Sequence, residues 1–457
     1  MRKITIDPIT RLEGHGKIEI FLDEEGEVER AYFQIPKLRG FEKFCEGRPA
    51  EEMPRITPRI CGVCSTAHHM ASTKALDDLF KVEPTSAAKK IRDLMYNAFI
   101  AEHHLLHFFF LGGPDFIVGS RTPARERNIM GVIAKAGMEV RGKLIEVKKR
   151  LRGVIEAIGG KSIHPVCGLP GGISKPVTEE ERKSFIRAAE YLVEFSVFVA
   201  FDLWDNIVLK NKEYLDLITG DVYRHRTYYM GLVDENNKVN FYDGHIRVVD
   251  PNGKEFARFE AQEYLDHIRE HVEPWTYMRF SYLKNVGWKG FIDSEENGVF
   301  RVGPLARLNA ADGMATPLAQ EYYEKMYEVL GGKPAHNTLA FHWARLIELL
   351  YTSERMLELV GDPELTSPEV INIPAEIPAQ GMGVVEAPGG TLFHHYETDD
   401  RGILTGANLI APMQNNSASI CMSIEKAAKS LIHKGKVTDS TLNMIEMAIR
   451  AYDPCSA

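Results

Sequence analysis

Three cysteines constrain the fold of this chain more than any other feature. Cys61 and Cys64 stand in C-x-x-C spacing within "RICGVC", and Cys455 lies in the last seven residues, "AYDPCSA". Cys455 reads as the first half of a second pair, whose partner would fall at position 458, just past the end of the sequence. If the three act together, the fold must carry the last residues inward beside a loop near the start, whereas chain ends normally lie exposed. The segment before Cys455 suits this. In "TDSTLNMIEMAIRAYDPC", Asp439 or Ser440 can cap a helix, Ile445, Ala448 and Ile449 are apolar, and Pro454 stops it.

The C-x-x-C pair by itself leaves several readings open. It can be half of a zinc site with Cys45 and His68 as further candidates, a redox pair, a ligand pair for a softer centre, or a packed cysteine. The redox reading wants a βαβ setting that the neighbouring sequence does not supply. Thiolates select zinc, copper(I), iron–sulfur clusters or nickel-type centres over magnesium or calcium. Six cysteines in 457 residues are no disulfide framework, and Cys45, Cys167 and Cys421 read as small buried apolar residues.

A net charge of −9 with no basic stripe argues against nucleic-acid binding. No membrane span is expected. "LLHFFFLGG" is too short and "LVEFSVFVAFDLW" carries Glu194 and Asp202, where about 20 apolar residues are needed. "MRKITIDPIT" has no apolar core and is no secretory signal, so a cytoplasmic location is expected.

Residues 1–36 alternate as strands, with "DEEGE" as a turn. Residues 86–111 read as an apolar helix, and the run from Ala124 to Gly160 as one long helix ended by Gly159-Gly160. A third helix opens at "PVTEEERKSF", where Thr178 and Glu181 have capping-box spacing. From 221 to 310 the chain turns strand-like, with "DENN" and "PNG" turns. Helices at about 316–330 and 336–360, an extended stretch at 382–396 and two final helices follow. The expected class is α+β and mainly helical. One domain over 1–457 has a helical bundle body (core about 86–212), an N-terminal β-sheet (1–36), an inserted β-rich region (221–310) and a C-terminal metal-site segment (316–457).

"RICGVC" and "DPC" together resemble the large subunit of nickel–iron hydrogenases. The resemblance continues in order through "ITRLEGHGKI", "LRGFEKF", "HPVCGLPGG", "RVGPLARLN", "EAPGGTL" and "NLIAPMQNN", and is nearest the cytosolic, cofactor-reducing branch. It implies a catalytic subunit that cleaves dihydrogen heterolytically and reversibly, and passes electrons to iron–sulfur clusters of a small partner subunit. Further electron-transfer subunits would complete the complex. It also implies a nickel–iron centre held by four thiolates, with carbon monoxide and cyanide on the iron. Cys61 and Cys455 would be terminal nickel ligands and Cys64 a bridge. Glu13 of "EGH" would relay protons, and His68 would hydrogen-bond a bridging sulfur, with His69 structural. Asp115 resembles an acidic residue lining the site, Pro412 a wall facing the diatomic ligands, and Glu42 a ligand of a second site for magnesium or iron.

Two departures stand out. The family's block reads Glu-Ala-Pro-Arg-Gly, and Gly389 takes the place of its arginine, a fixed charged fork that glycine cannot replace. The sequence also ends before a fourth ligand. Three explanations are open: a selenocysteine at 458, a separate short peptide carrying the ligand, or a degraded paralogue. The last belongs to the alternative function, a metal-free scaffold subunit of a redox complex.

Overall fold

In the computed structural model, which describes residues 2–36, 40–376 and 379–456, one helix organises the body. Ala340–Gly361 is buried on nearly every face of its first four turns, so it must lie inside a bundle rather than on its surface. It packs against Ser86–Leu106, Glu179–Val197 and Pro317–Leu330. The capping box at Thr178 is complete: its hydroxyl accepts from Glu181 N–H, and Glu181 accepts in return from Thr178 N–H.

The run expected as one helix from Ala124 is two. Asn128 caps Ile129–Ala136, and a second helix spans Met138–Gly159. Gly137 between them has φ +92°, a conformation glycine adopts without strain and a helix interior cannot contain. Gly160 closes the second helix in the left-handed region, as the sequence suggested.

Among the described residues, three sheets of three or four strands surround this body, beside three two-stranded ladders. The N-terminal strands Arg2–Ile6, Lys17–Leu22 and Val28–Gln34 form an antiparallel meander. The inserted region contributes Tyr228–Val233, His245–Val249 and Glu255–Phe259, joined in parallel by Phe300–Arg301. The strand-like character expected up to 310 ends earlier, because Pro304–Ala310 is a buried helix with proline at its first turn. The extended stretch at 382–396 is a hairpin, Gln380–Ala387 with Gly390–Thr398, to which Leu404–Ile410 adds an unexpected third strand.

The last two helices are Pro412–Leu431 and Asp439–Arg450. The cap of the latter is Thr438 rather than Asp439 or Ser440; its hydroxyl accepts from Thr441 N–H at 3.1 Å. Ile445, Ala448 and Ile449 are fully buried, so this helix does carry the C-terminal segment inward. Of the "LRGFEKF" block, residues 38 and 39 lie outside the described residues, as does Ala457.

Candidate metal centre

The Asp439–Arg450 helix is locked in place by a buried ionic cluster. Arg450 donates to Asp115 and to the carbonyl of Thr10, each at 3.0 Å, and also pairs with Glu446. Arg11 donates to the other Asp115 oxygen at 2.5 Å and to Leu111 O at 2.8 Å. The cluster ties the N-terminal segment, the stretch that follows the Ser86–Leu106 helix and the C-terminal helix to one another. Beyond it the chain runs on as Cys455–Ser456, which pairs in parallel with Glu13–Gly14. Cys455 therefore lies beside Glu13.

Across from this pair, the Cys61–Cys64 loop enters the helix Ser65–Leu79. The three sulfurs converge. Cys455 Sγ is 3.1 Å from Cys61 Sγ and 3.6 Å from Cys64 Sγ, and all three atoms lie within 4.8 Å of one another. They open onto a cavity of about 340 Å³, lined also by Glu13, His68, His103, Pro388, Gly389, Pro412 and Asp453.

The charge is unevenly shared among the thiols. Cys61 accepts hydrogen bonds from Cys455 and Cys64 and from the N–H groups of Cys64 and Val63, which hold its thiol well below the usual range. The same sulfur contacts, with burial, raise the Cys64 thiol. Charge in the cluster is thus favoured at Cys61 over Cys64. Sulfur donors gathered in an apolar cavity fit a soft metal ion.

Around the sulfurs, His68 is buried and held neutral, pushed down to about 4 by burial. Its Nδ1 lies 3.1 Å from His394 Nε2, which fixes the ring. His103 and Asp453 form a buried pair at 2.6 Å. Burial pushes the His103 ring down, but the Asp453 carboxylate more than offsets this and leaves it raised. Asp453 itself sits at φ +56°, an uncommon conformation for a non-glycine residue, two places before Cys455.

Not every expected residue comes to the cavity. Cys61, Cys64, Cys455, Glu13, His68, Gly389 and Pro412 do. Asp115 does not: three arginines, Arg11, Arg127 and Arg450, claim it as a structural anion. Glu42, expected at a second site rather than in this cavity, accepts from Leu409 N–H at 2.8 Å on the third strand of the hairpin sheet. Cys45 packs among Leu79, Tyr396 and Leu404, so the structure does not bring it to the thiol cluster as a zinc ligand. His69 is structural, spanning Pro54 O and Gly168 N–H. Burial raises the Cys45 thiol to about 11 and those of Cys167 and Cys421 to about 12, the behaviour of packed apolar residues.

The sequence reading missed His103, Asp453 and Asn416. Asp453 had a visible signal in "DPC", where only the proline and cysteine drew attention. His103 had one in "EHHLLH", since a charged-capable residue on the buried face of an apolar helix needs a partner.

Comparison with known proteins decides the family. The model for nickel-dependent hydrogenases matches residues 39–163 and 143–457, and a HoxL-like model matches 3–38. The chain belongs to the nickel-dependent hydrogenase family. It is 49% identical to an F420-non-reducing hydrogenase iron-sulfur subunit of Archaeoglobus profundus, over all of this chain and 94% of that one. It is 36% identical to the beta subunit of the NAD-reducing hydrogenase HoxS of Cupriavidus necator, over 99% and 93%. The crystal structure of an NAD+-reducing NiFe-hydrogenase in the H2-reduced state superposes with a TM-score of 0.93 at 36% identity, covering 100% and 98% of the two chains.

Gly389 stands on the wall of the cavity. A Cβ built there would lie 3.1 Å from Asp453 O and 3.6 Å from Pro412 Cβ, a tight but open position on the cavity wall. No helix among the described residues is long and apolar enough to cross a membrane.

Proposed function

We propose that Cys61, Cys64 and Cys455 hold the nickel–iron centre of a cytoplasmic hydrogenase of which this chain, read as one domain, is the catalytic subunit. The observation that carries this reading is the convergence of three sulfurs from opposite ends of the chain in one apolar cavity. A scaffold that kept the fold only for its interface would have no use for that convergence. When bound, the centre, with carbon monoxide and cyanide on its iron, would supply the Lewis acidity that dihydrogen cleavage needs.

The chain's own residues do the rest. Glu13, beside Cys455, receives the proton released at the cavity and passes it outward. His68, held by His394, lines the cavity and would hydrogen-bond and orient a cysteine sulfur that holds the metal. Pro388, Gly389 and Pro412 line the cavity with the sulfurs and keep bulk water out. Glu42 contributes to a second site for magnesium or iron. The cysteines outside the cluster are single and packed, so the iron–sulfur clusters that take the electrons belong to a small partner subunit.

The test is isotope exchange. The purified complex, supplied with D2 in H2O, should release HD, read by mass spectrometry, and Glu13→Gln should lower that rate by about 10²- to 10⁴-fold with nickel content unchanged. A nickel-loaded wild type that produces no HD contradicts the reading.

A further inference from the structure

Residues 451–454 carry the chain from the end of the Asp439–Arg450 helix to the ladder at Cys455. The last carbonyls of a helix have no partner within it, so a buried helix end needs donors from outside. Here the body supplies them. His107 Nε2 lies 2.8 Å from Arg450 O, and because a carbonyl only accepts, that nitrogen carries the ring's proton. Arg345 Nη2 donates to Ala451 O at 3.1 Å. The Tyr452 hydroxyl lies 2.8 Å from Ser423 Oγ, and His103 pairs with Asp453. Residues 450–453 are thus each held by a different buried side chain.

Arg345 is the costly member of this set. It is 1% exposed on the Ala340–Gly361 helix, and burial drives its guanidinium down to about 10 against the pull of Asp453 and Glu348. Both carboxylates are committed elsewhere, Glu348 to Arg307 and His104, and Asp453 to His103. Among the described residues its Nε and Nη1 have no hydrogen-bond partner, which leaves the bond to Ala451 O as its direct hold. A cation so buried costs stability unless its charge serves where it stands. It stands at the C-terminal end of the Asp439–Arg450 helix, the negative end of the helix dipole, where a cation is favoured.

We infer that Arg345 and His107 are positioning residues for Cys455: they grip the carbonyls of residues 450 and 451 so that the turn after the last helix delivers the sulfur to Cys61 and Cys64. The ladder with Glu13 and Gly14 fixes Cys455 against the N-terminal segment, but it joins only Cys455 and Ser456 and leaves the turn to be set from the other side. Pro454 has a fixed φ, so a displacement at Ala451 passes on into Cys455 rather than being absorbed beside it. Cys455 Sγ stands 3.1 Å from Cys61 Sγ and 3.6 Å from Cys64 Sγ. Metal–ligand distances tolerate about 0.2 Å, so a small swing of the turn is enough to break the three sulfurs as a common donor set. A side chain that merely capped the helix end would add stability and leave the sulfurs where they are.

The use of this placement rests on the proposed metal centre, but the placement itself is tested without metal. Dibromobimane bridges thiols a few ångströms apart, and peptide mapping of the metal-free full chain shows which cysteines it has joined. Arg345→Met and the milder His107→Phe should each lower the yield of bridges that include Cys455 roughly tenfold or more, because bridging depends on proximity. The Cys61–Cys64 bridge should persist in both, as the internal control for a folded chain. Arg345→Lys, which keeps the charge, and His107→Gln, which keeps an N–H donor, should recover part of the lost yield. Variants that lose stability to urea yet bridge Cys455 at the wild-type yield overturn the inference and leave the metal assignment standing. A wild-type complex without nickel would do the reverse.

Discussion

Cys455 and Glu13 are parallel β neighbours, one from each end of the chain. The two-residue ladder they share is too short to hold itself together. Its stability comes from the Asp115 cluster behind it, where Arg11 and Arg450 fix the segments that lead into each strand.

Asp115→Asn should therefore loosen the C-terminal segment. It leaves Arg11, Arg127 and Arg450 buried around a neutral side chain, and breaking a buried ionic contact from one side costs about 3–5 kcal/mol. Chemical denaturation should show a loss of that order, and hydrogen exchange should accelerate across 439–456 more than in the Ser86–Leu106 helix.

The same residue sets an acid dependence. Burial alone would raise the Asp115 carboxyl, but Arg450 and then Arg11 more than offset it and hold it low. A depressed carboxyl contributes stability that is complete above its unfolded value, about 3.9, and is lost as pH falls toward the folded one. The stability difference between wild type and Asp115→Asn should be constant above about pH 5 and shrink as the pH falls below about 4. A difference that grows on acidification would contradict this assignment.

How far this was legible in the sequence depended on how local the signal was. The Thr178 capping box, the stop at Gly160 and the buried face of Ile445, Ala448 and Ile449 are local patterns, and each stands where its residues predict. The break at Gly137 was hidden because one glycine inside a helical pattern is normally tolerated at a cost of about 1 kcal/mol. Thr438 wins the cap from Asp439 because its own backbone is extended where the helix begins. The strand Leu404–Ile410 lacks alternation. Asp115 was misplaced because its three arginines lie far apart in sequence, and only the fold shows that they meet.

The thiols should differ in reactivity before metal is added. In metal-free protein at pH 6.5, iodoacetamide should modify Cys61, held low by its donors, well ahead of Cys45, Cys167 and Cys421, which burial raises to about 11 and 12. Peptide mass mapping reads the order directly. Equal labelling of Cys61 and Cys421 would show that the converged geometry does not polarise the cluster.

Gly389→Arg should restore a charged donor to the wall. The position is open to a side chain if the contact with Asp453 O relaxes by a few tenths of an ångström. One preorganised donor is worth on the order of 10²- to 10³-fold in turnover, so hydrogen oxidation should rise by about that factor without a change in nickel content. An unchanged rate in a folded, loaded variant would contradict this reading of the wall.

Whether the three sulfurs form a metal site is decided by nickel and iron per chain, read by elemental mass spectrometry on the intact complex and on its Cys455→Ser variant. Three converged thiolates make a soft site, so about one nickel per chain is expected in the wild type, with a loss of about tenfold or more in the variant. A well-folded wild-type complex without nickel, or a variant that keeps its full complement, would contradict the assignment.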